Sequence, residues 1–137
     1  MKLPVTIMLV DDDIYEREFF KEALKEIFDN RIELITARDG VYALEILNNP
    51  VQVLPDLLFL DINTPRMNGK ELLVELQKNE RLKNIPVVIY TLSSNPRDRE
   101  EMLRNGALNY LVKPLSVKDL SLAIAGIINL DNQGEKS

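Results

Sequence analysis

The fold of this chain is decided near its amino terminus by residues 5–13, which read VTIMLVDDD. An almost wholly apolar run of six residues stops abruptly at Asp11, Asp12 and Asp13. A short apolar run without regular polar alternation is typical of a strand covered on both faces, as in a parallel sheet. The sequence therefore predicts a buried parallel strand that ends in carboxylates.

The same unit recurs along the chain. Further strands are predicted at residues 32–37, 57–60, 86–90 and 109–112. Segments with helical periodicity lie between and after them, at residues 14–29, about 43–47, 69–79, 96–105 and from 116 onward, with a turn at 39–40. This alternation predicts one α/β domain with a parallel sheet and helices on both faces. We assign residues 1–130 to the domain and residues 131–137 to a polar C-terminal tail.

Composition removes several classes of chemistry. A chain of 137 residues fits one domain, and 45% hydrophobic with 28% charged residues is typical of a folded soluble protein. There is no cysteine and no histidine. Disulfides, thiolate metal sites and histidine-based catalytic triads are thereby excluded. Any chemistry must come from carboxylates, hydroxyls, amides and lysines, together with a hard metal ion.

Charge and hydropathy narrow the partners. The net charge of −5 argues against broad binding to nucleic acid. No apolar stretch approaches the roughly 20 residues of a membrane span. The amino terminus lacks the apolar region of a secretory signal. We therefore expect a cytoplasmic protein without nucleic-acid or membrane partners.

Polar residues end four of the predicted strands: Asp11 and Asp12, Asp61, Thr91, and Lys113. Ligands of open α/β sheets bind beyond the carboxyl ends of the strands, so these side chains are predicted to converge at one edge. Neighbouring carboxylates repel and recruit a cation, and all-oxygen ligation suits Mg²⁺. Lysine and threonine can hold phosphate oxygens, and a carboxylate can attack an electrophilic phosphorus.

Each of these residues alone has an ordinary structural role open to it. Residues 11–13 can simply cap the following helix. Asp61 can be a turn residue, and Lys113 before Pro114 can be a solvated lysine in a turn. Only their joint placement at one predicted edge favours a functional site.

Four segments, taken in order and spacing, resemble the CheY-like receiver domains of two-component response regulators. They are residues 9–13 (LVDDD), residues 60–65 (LDINTP) with Gly69, Thr91, and residues 110–114 (YLVKP). The resemblance covers about residues 4–130. It implies a doubly wound, five-stranded flavodoxin/CheY-like sheet with strand order 2-1-3-4-5. We expect a stand-alone, single-domain regulator.

The resemblance also implies roles for individual residues. Asp61 corresponds to the phosphoacceptor. Mg²⁺ or Mn²⁺ would be held by the side chains of Asp12 and Asp61, the backbone carbonyl of Asn63, and Asp11 mainly through water. The phosphoryl-binding and switch residues would be Thr91, Tyr110 and Lys113.

Partners follow from the same resemblance. The phosphoryl group would come from a sensor histidine kinase or a phosphotransfer protein, since this chain has no histidine. An unidentified downstream protein would receive the signal, and homodimerisation through the last strand and helix stays open. By the same resemblance, Asn63 and Ser93 would occupy the positions that modulate hydrolysis of the acyl phosphate in relatives. Leu92 departs from the small residue usual there, so we expect it to cover part of the phosphoryl site and to affect small phosphodonors and hydrolysis.

Two other functions stay open. Asp61-Ile62-Asn63-Thr64 partly resembles the DxDxT motif of haloacid-dehalogenase-type phosphohydrolases, but Asn63 cannot replace that motif's acid/base aspartate. A receiver-like adaptor that is never phosphorylated is the third hypothesis. The complete acidic set and Lys113 argue against it, and Leu92 argues slightly for it.

Overall fold

The computed structural model describes the backbone of residues 5–136 and the side chains of residues 5–129. The strands are β1 Val5–Val10, β2 Ile32–Ala37, β3 Leu57–Leu60, β4 Val87–Thr91 and β5 Asn109–Val112. The helices are α1 Ile14–Phe28, α2 Gly40–Leu47, α3 Gly69–Lys78, α4 Pro96–Arg104 and α5 Val117–Lys136. Strands and helices thus alternate throughout the described chain.

The strands form one parallel sheet in the order β2-β1-β3-β4-β5. Strand β1 pairs with β2 on one side and β3 on the other, so that Val10 lies opposite both Ala37 and Leu60. The chain changes direction across the sheet at β1, which opens a crevice beyond the carboxyl ends of β1 and β3. The predicted doubly wound, five-stranded fold is confirmed.

Two hydrophobic cores lie on opposite faces of this sheet. Ile7 and Leu9 of β1 belong to the core that α1 and α5 cover. Met8 and Val10 belong to the other core, which α2, α3 and α4 cover. All four side chains have no exposed surface. Burial on both faces explains why β1 is apolar at consecutive positions.

An aromatic cluster supports the carboxyl-terminal edge of the sheet. Phe20 of α1, Phe59 of β3 and Tyr90 of β4 contact one another edge to face, with ring centroids 5.0 to 6.2 Å apart. Edge-to-face packing brings the positive ring edge onto the negative face of its neighbour. The ammonium of Lys113 lies 5.3 Å from the Tyr90 ring centroid, so the cluster forms a floor under that lysine.

Helix starts follow local side-chain chemistry. Asp13 begins α1 by accepting a hydrogen bond from Tyr15 N, and Asn95 begins α4 with Pro96 in the first turn. The turn predicted at residues 39–40 is wrong. Asp39 is the cap of α2, where its Oδ1 accepts from Tyr42 N at 2.9 Å. An aspartate before a short helix satisfies one of the free N–H groups of the first turn, here that of Tyr42.

Helix α5 extends to Lys136, so its backbone includes most of the segment assigned to a polar tail. The side chains of residues 130–137 lie outside the described residues, and the tail stays a prediction. In the part of the chain that the structure describes, no helix is both long enough and apolar enough to cross a membrane.

Candidate functional site

Two buried aspartates lie where β1 and β3 end side by side. Asp11 N donates to Ala37 O at 2.9 Å, and Asp61 N donates to Val10 O at 3.0 Å. These bonds continue the sheet by one residue and fix both aspartates beyond its edge. The backbone pairing of β1 with its two neighbours therefore positions the acidic residues that the sequence singled out.

Three carboxylates converge at this edge. One oxygen each of Asp11, Asp12 and Asp61 lies within 4.8 Å of the other two. Asp11 and Asp61 are buried, whereas Asp12 is exposed. A hard divalent cation accepts this all-oxygen donor set and tolerates water at its remaining positions. The cluster therefore fits a divalent metal ion that is reached from solvent on the Asp12 side.

Lys113 joins the two buried aspartates. Its Nζ donates to Asp11 Oδ2 at 2.8 Å and to Asp61 Oδ2 at 3.0 Å. The backbone N of Lys113 donates to Thr91 O at 2.8 Å, so the pairing of β4 with β5 places the lysine over the crevice. Burial by itself would lower the pKa of Lys113, but the contacts with the two carboxylates outweigh burial and raise it. The ammonium therefore stays charged.

A fourth carboxylate, which the sequence analysis missed, extends the acidic site. Glu16 Oε2 lies 3.9 Å from Lys113 Nζ. Burial raises the pKa of both Glu16 and Asp11, although Lys113 opposes the shift at each. The ammonium thus lies near three carboxylates, and Asp12 of the same acidic cluster adds a fourth, so the excess negative charge favours a bound cation. Glu16 lies in the first turn of α1, three residues after the N-cap Asp13, so the start of that helix places its carboxylate near Lys113.

Thr91 and Tyr110 are connected through one residue of the β4–α4 loop. Thr91 has no exposed surface, and its Oγ1 accepts from Ser93 N at 3.4 Å. The buried Tyr110 donates its hydroxyl to Ser93 O at 2.9 Å. The Ser93 hydroxyl donates in turn to Asp98 Oδ2 at 2.6 Å, in the first turn of α4. A displacement of this loop would therefore move both Tyr110 and the start of α4.

Asn63 lies on the loop after β3, and Leu92 lies on the loop after β4. Asn63 is exposed, and its backbone N donates to Asp61 Oδ1 at 3.0 Å. The Leu92 side chain is 70% exposed. It lines an open pocket of about 250 Å³ together with Glu16, Lys113 and four other residues, Tyr15, Phe19, Pro114 and Leu115. Leu92 thus lies beside Lys113 and Glu16, in a pocket that the three clustered aspartates do not line.

Tyr90 is a second residue that the sequence analysis missed. Its hydroxyl is buried and has no hydrogen-bond partner among the described residues. Burial, reinforced by the negative charges of Glu16, Asp11 and Asp61, raises its pKa. A tyrosine directly before Thr91 in an apolar strand is the only signal for it in the sequence. The neutral phenol is therefore part of the floor beneath Lys113.

Comparison with known proteins agrees with this architecture. Residues 7–125 match the response regulator receiver domain. The response regulator Rcp1 of Synechocystis sp. is 36% identical over 131 residues, covering 90% of this chain and 86% of Rcp1. The probable methanogenesis regulatory protein FilR2 of Methanothrix harundinacea is 34% identical over 128 residues, covering 90% of this chain and 81% of FilR2.

Two solved structures have the same fold. The Mn²⁺-bound form of Rcp1 is 35% identical with a TM-score of 0.78, covering 90% of this chain and 91% of that one. The phosphorylated cyanobacterial phytochrome response regulator RcpA is 31% identical with a TM-score of 0.78, covering 90% of each chain. The family match at residues 7–125 includes the carboxyl ends of all five strands and therefore every residue of the acidic crevice. This chain belongs to the response regulator receiver domain family, whose members are two-component signalling proteins.

Proposed function

We propose that Asp61 accepts a phosphoryl group from a phosphohistidine of a partner sensor histidine kinase or phosphotransfer protein. The observation that carries this proposal is the position of Lys113, whose ammonium donates to both Asp11 and Asp61 within a cluster of acidic residues. A lysine there holds the attacking carboxylate in place and offers a positive charge to an incoming phosphoryl oxygen.

The transfer needs no proton abstraction by this chain. One carboxylate oxygen of Asp61 attacks the phosphorus while the bond from phosphorus to the donor's imidazole nitrogen breaks. The imidazole keeps that electron pair and takes up a proton, and the product is an acyl phosphate. Asn63 N, which donates to Asp61 Oδ1, and Lys113 Nζ, which donates to Oδ2, orient the carboxylate before the attack.

A magnesium ion is the cofactor that we propose, with Mn²⁺ as a substitute. The side chains of Asp12 and Asp61, the carbonyl of Asn63 and, through water, Asp11 would hold it. The ion would neutralise negative charge on the phosphoryl oxygens. Support comes from the three carboxylate oxygens within 4.8 Å of one another and from the Mn²⁺-bound form of the relative Rcp1.

The output would be a change in a protein-binding surface. Once Asp61 carries a phosphoryl group, Thr91 Oγ1 and Lys113 would turn to its oxygens. Ser93 bonds to both Thr91 and Tyr110, so movement of Thr91 would release or reorient the Tyr110 ring. The surface of α4, β5 and α5 would then shift between two populations, for a downstream protein or a second copy of the chain to read.

We further propose that the chain hydrolyses no phosphate ester and turns over only its own acyl phosphate, and that it works in the cytoplasm. The hydrolase alternative needs a second acid/base near Asp61, and Asn63 stands in that motif position. The adaptor alternative leaves the buried Lys113 without a role in signalling. Membership of the receiver family supports the kinase-fed switch over both.

The test is phosphoryl labelling followed by intact mass. With Mg²⁺ and acetyl phosphate or a phosphorylated kinase, we expect one phosphoryl group per chain. Chelation of the cation or Asp61→Asn abolishes it, whereas the exposed control Asp29→Asn does not. Hydrolysis of many equivalents of a phosphate ester per chain would instead favour the hydrolase. No label from either acetyl phosphate or a panel of phosphorylated kinases would refute the switch.

A further inference from the structure

The loop that follows β3 is fastened to the start of α2, far from it in sequence. Arg66 donates from Nε to Asp39 Oδ2 at 2.9 Å and from Nη2 to Asp39 Oδ1 at 3.5 Å. The side chain of Asp39 is 3% exposed and that of Arg66 is 54% exposed. A buried carboxylate thus accepts a bidentate pair of hydrogen bonds from a half-exposed arginine.

The loop backbone is held at the same place. Gly40 N donates to both Arg66 O and Met67 O, each at 3.1 Å. A Cβ on Gly40 would lie 2.4 Å from Met67 O, so only glycine permits this approach. Met67 has a φ of 52°, an unfavourable left-handed conformation for a bulky residue. The contacts with α2 therefore fix a backbone shape that the loop alone would seldom adopt.

Thr64 carries the constraint toward the acidic crevice. Its hydroxyl donates to Met67 O at 3.2 Å, and the residue is 5% exposed. Asn63 is its neighbour in the chain, and Asn63 N donates to Asp61 Oδ1 at 3.0 Å. A continuous series of contacts therefore runs from α2 through Met67 and Thr64 to Asn63, whose backbone carbonyl is the expected ligand of the metal ion.

We propose that Asp39, Arg66 and Thr64 form a loop clamp that presets the β3–α3 loop and thereby raises the affinity of the acidic site for a divalent cation. These three are positioning residues, because none of them is expected to touch the ion. The inference rests on the proposed function, in which Asn63 and Asp61 hold that ion. Preset ligands bind more tightly, since no ordering of the loop has to accompany binding.

A purely electrostatic role and a purely stabilising role for the loop clamp would each give a different result. If the clamp affected the cation only through charge, Arg66→Met would tighten binding, because the guanidinium and the cation repel. If the clamp only stabilised the fold, the variants would lose unfolding free energy and keep their cation affinity. Only a positioning role predicts that Arg66→Met binds the divalent cation more weakly while the protein stays fully folded.

The experiment measures Mg²⁺ affinity by calorimetry and Mn²⁺ affinity by electron paramagnetic resonance, with urea unfolding of each variant alongside. For Arg66→Met we expect about tenfold weaker binding, the lower end of the cost of altering residues around metal ligands. Thr64→Val should weaken binding in the same direction, and Arg66→Lys should recover part of the loss. The control is Arg104→Met, an exposed arginine in the last turn of α4.

The outcomes separate the two proposals. Unchanged or tighter binding by both Arg66→Met and Thr64→Val overturns the loop clamp, whatever their stability. Failure of the wild-type protein to bind either cation overturns the proposed function itself. Weaker binding by both variants, with the control unaffected, supports the loop clamp.

Discussion

Replacing Lys113 by methionine should destabilise the cation-free protein by about 3 kcal/mol. The ammonium lies 2.8 Å from Asp11 and 3.0 Å from Asp61, and both carboxylates are almost completely buried. One oxygen of Asp11 and one of Asp61 lie within 4.8 Å of each other, and two unit charges at that separation repel by about 3 to 4 kcal/mol at an effective dielectric constant of about 20. Removal of one member of a buried ion pair typically costs about 3 to 5 kcal/mol. Methionine preserves most of the stem, so the loss reports on charge.

The assay is urea unfolding followed by circular dichroism, in chelator and in saturating Mg²⁺. In chelator we expect the full loss for Lys113→Met, and with Mg²⁺ a smaller loss, because the cation compensates the same carboxylates. The matched control is Lys83→Met. Its pair with Glu80 is on the surface, with the two side chains 41% and 89% exposed, and should be worth less than about 1 kcal/mol. Equal stabilities of Lys113→Met and Lys83→Met in chelator would refute the reasoning.

Three further substitutions test other parts of the site. Tyr90→Phe removes a buried hydroxyl without a partner, so it should stabilise the protein by about 1 kcal/mol in urea unfolding. Because folding raises the pKa of Tyr90, the wild type should lose stability above about pH 10, where the phenol of the unfolded chain ionises but that of the folded protein does not. The variant should lose less stability over the same pH range. An equal loss of unfolding free energy in both proteins would contradict this. Asp12→Asn should raise the unfolding free energy in chelator by about 1 kcal/mol, because it relieves repulsion within the cluster. It should also weaken Mg²⁺ binding in calorimetry, because a carboxylate ligand is lost. A lower stability in chelator would count against the repulsion. Leu92→Ala should speed labelling by acetyl phosphate in a mass-spectrometric time course, and an unchanged rate would refute the shielding role.

The fold could be predicted because the strands are short, apolar and buried on both faces. Residues 57–60, and residues 5–10 except Thr6, are apolar since each of these strands faces two cores, and both strands are followed by an aspartate at the same edge. The predicted convergence of Asp11, Asp61 and Lys113 follows from parallel topology alone. It depends on the direction of the strands and needs no knowledge of side-chain conformations.

Other contacts depend on tertiary structure that no periodicity encodes. Asp39 and Arg66 are 27 residues apart, in a helix cap and a loop, so neither position signals the other. The carboxylate of Glu16 comes near Lys113 only through the packing of α1 against the sheet, and the Tyr90 ring comes near it through the pairing of β4 with β5. The sequence pattern places Leu92 after β4, but it does not give the 70% exposure of that side chain.

Whether Asp61 is the phosphoacceptor can be decided by locating the acyl phosphate in the labelled protein. The protein is labelled by a phosphorylated sensor kinase in Mg²⁺, reduced with borohydride to convert the acyl phosphate to homoserine, digested and sequenced by mass spectrometry. We expect homoserine at position 61 and at neither Asp11 nor Asp12. Homoserine at either of those positions, or its appearance in Asp61→Asn at the wild-type level, would contradict it.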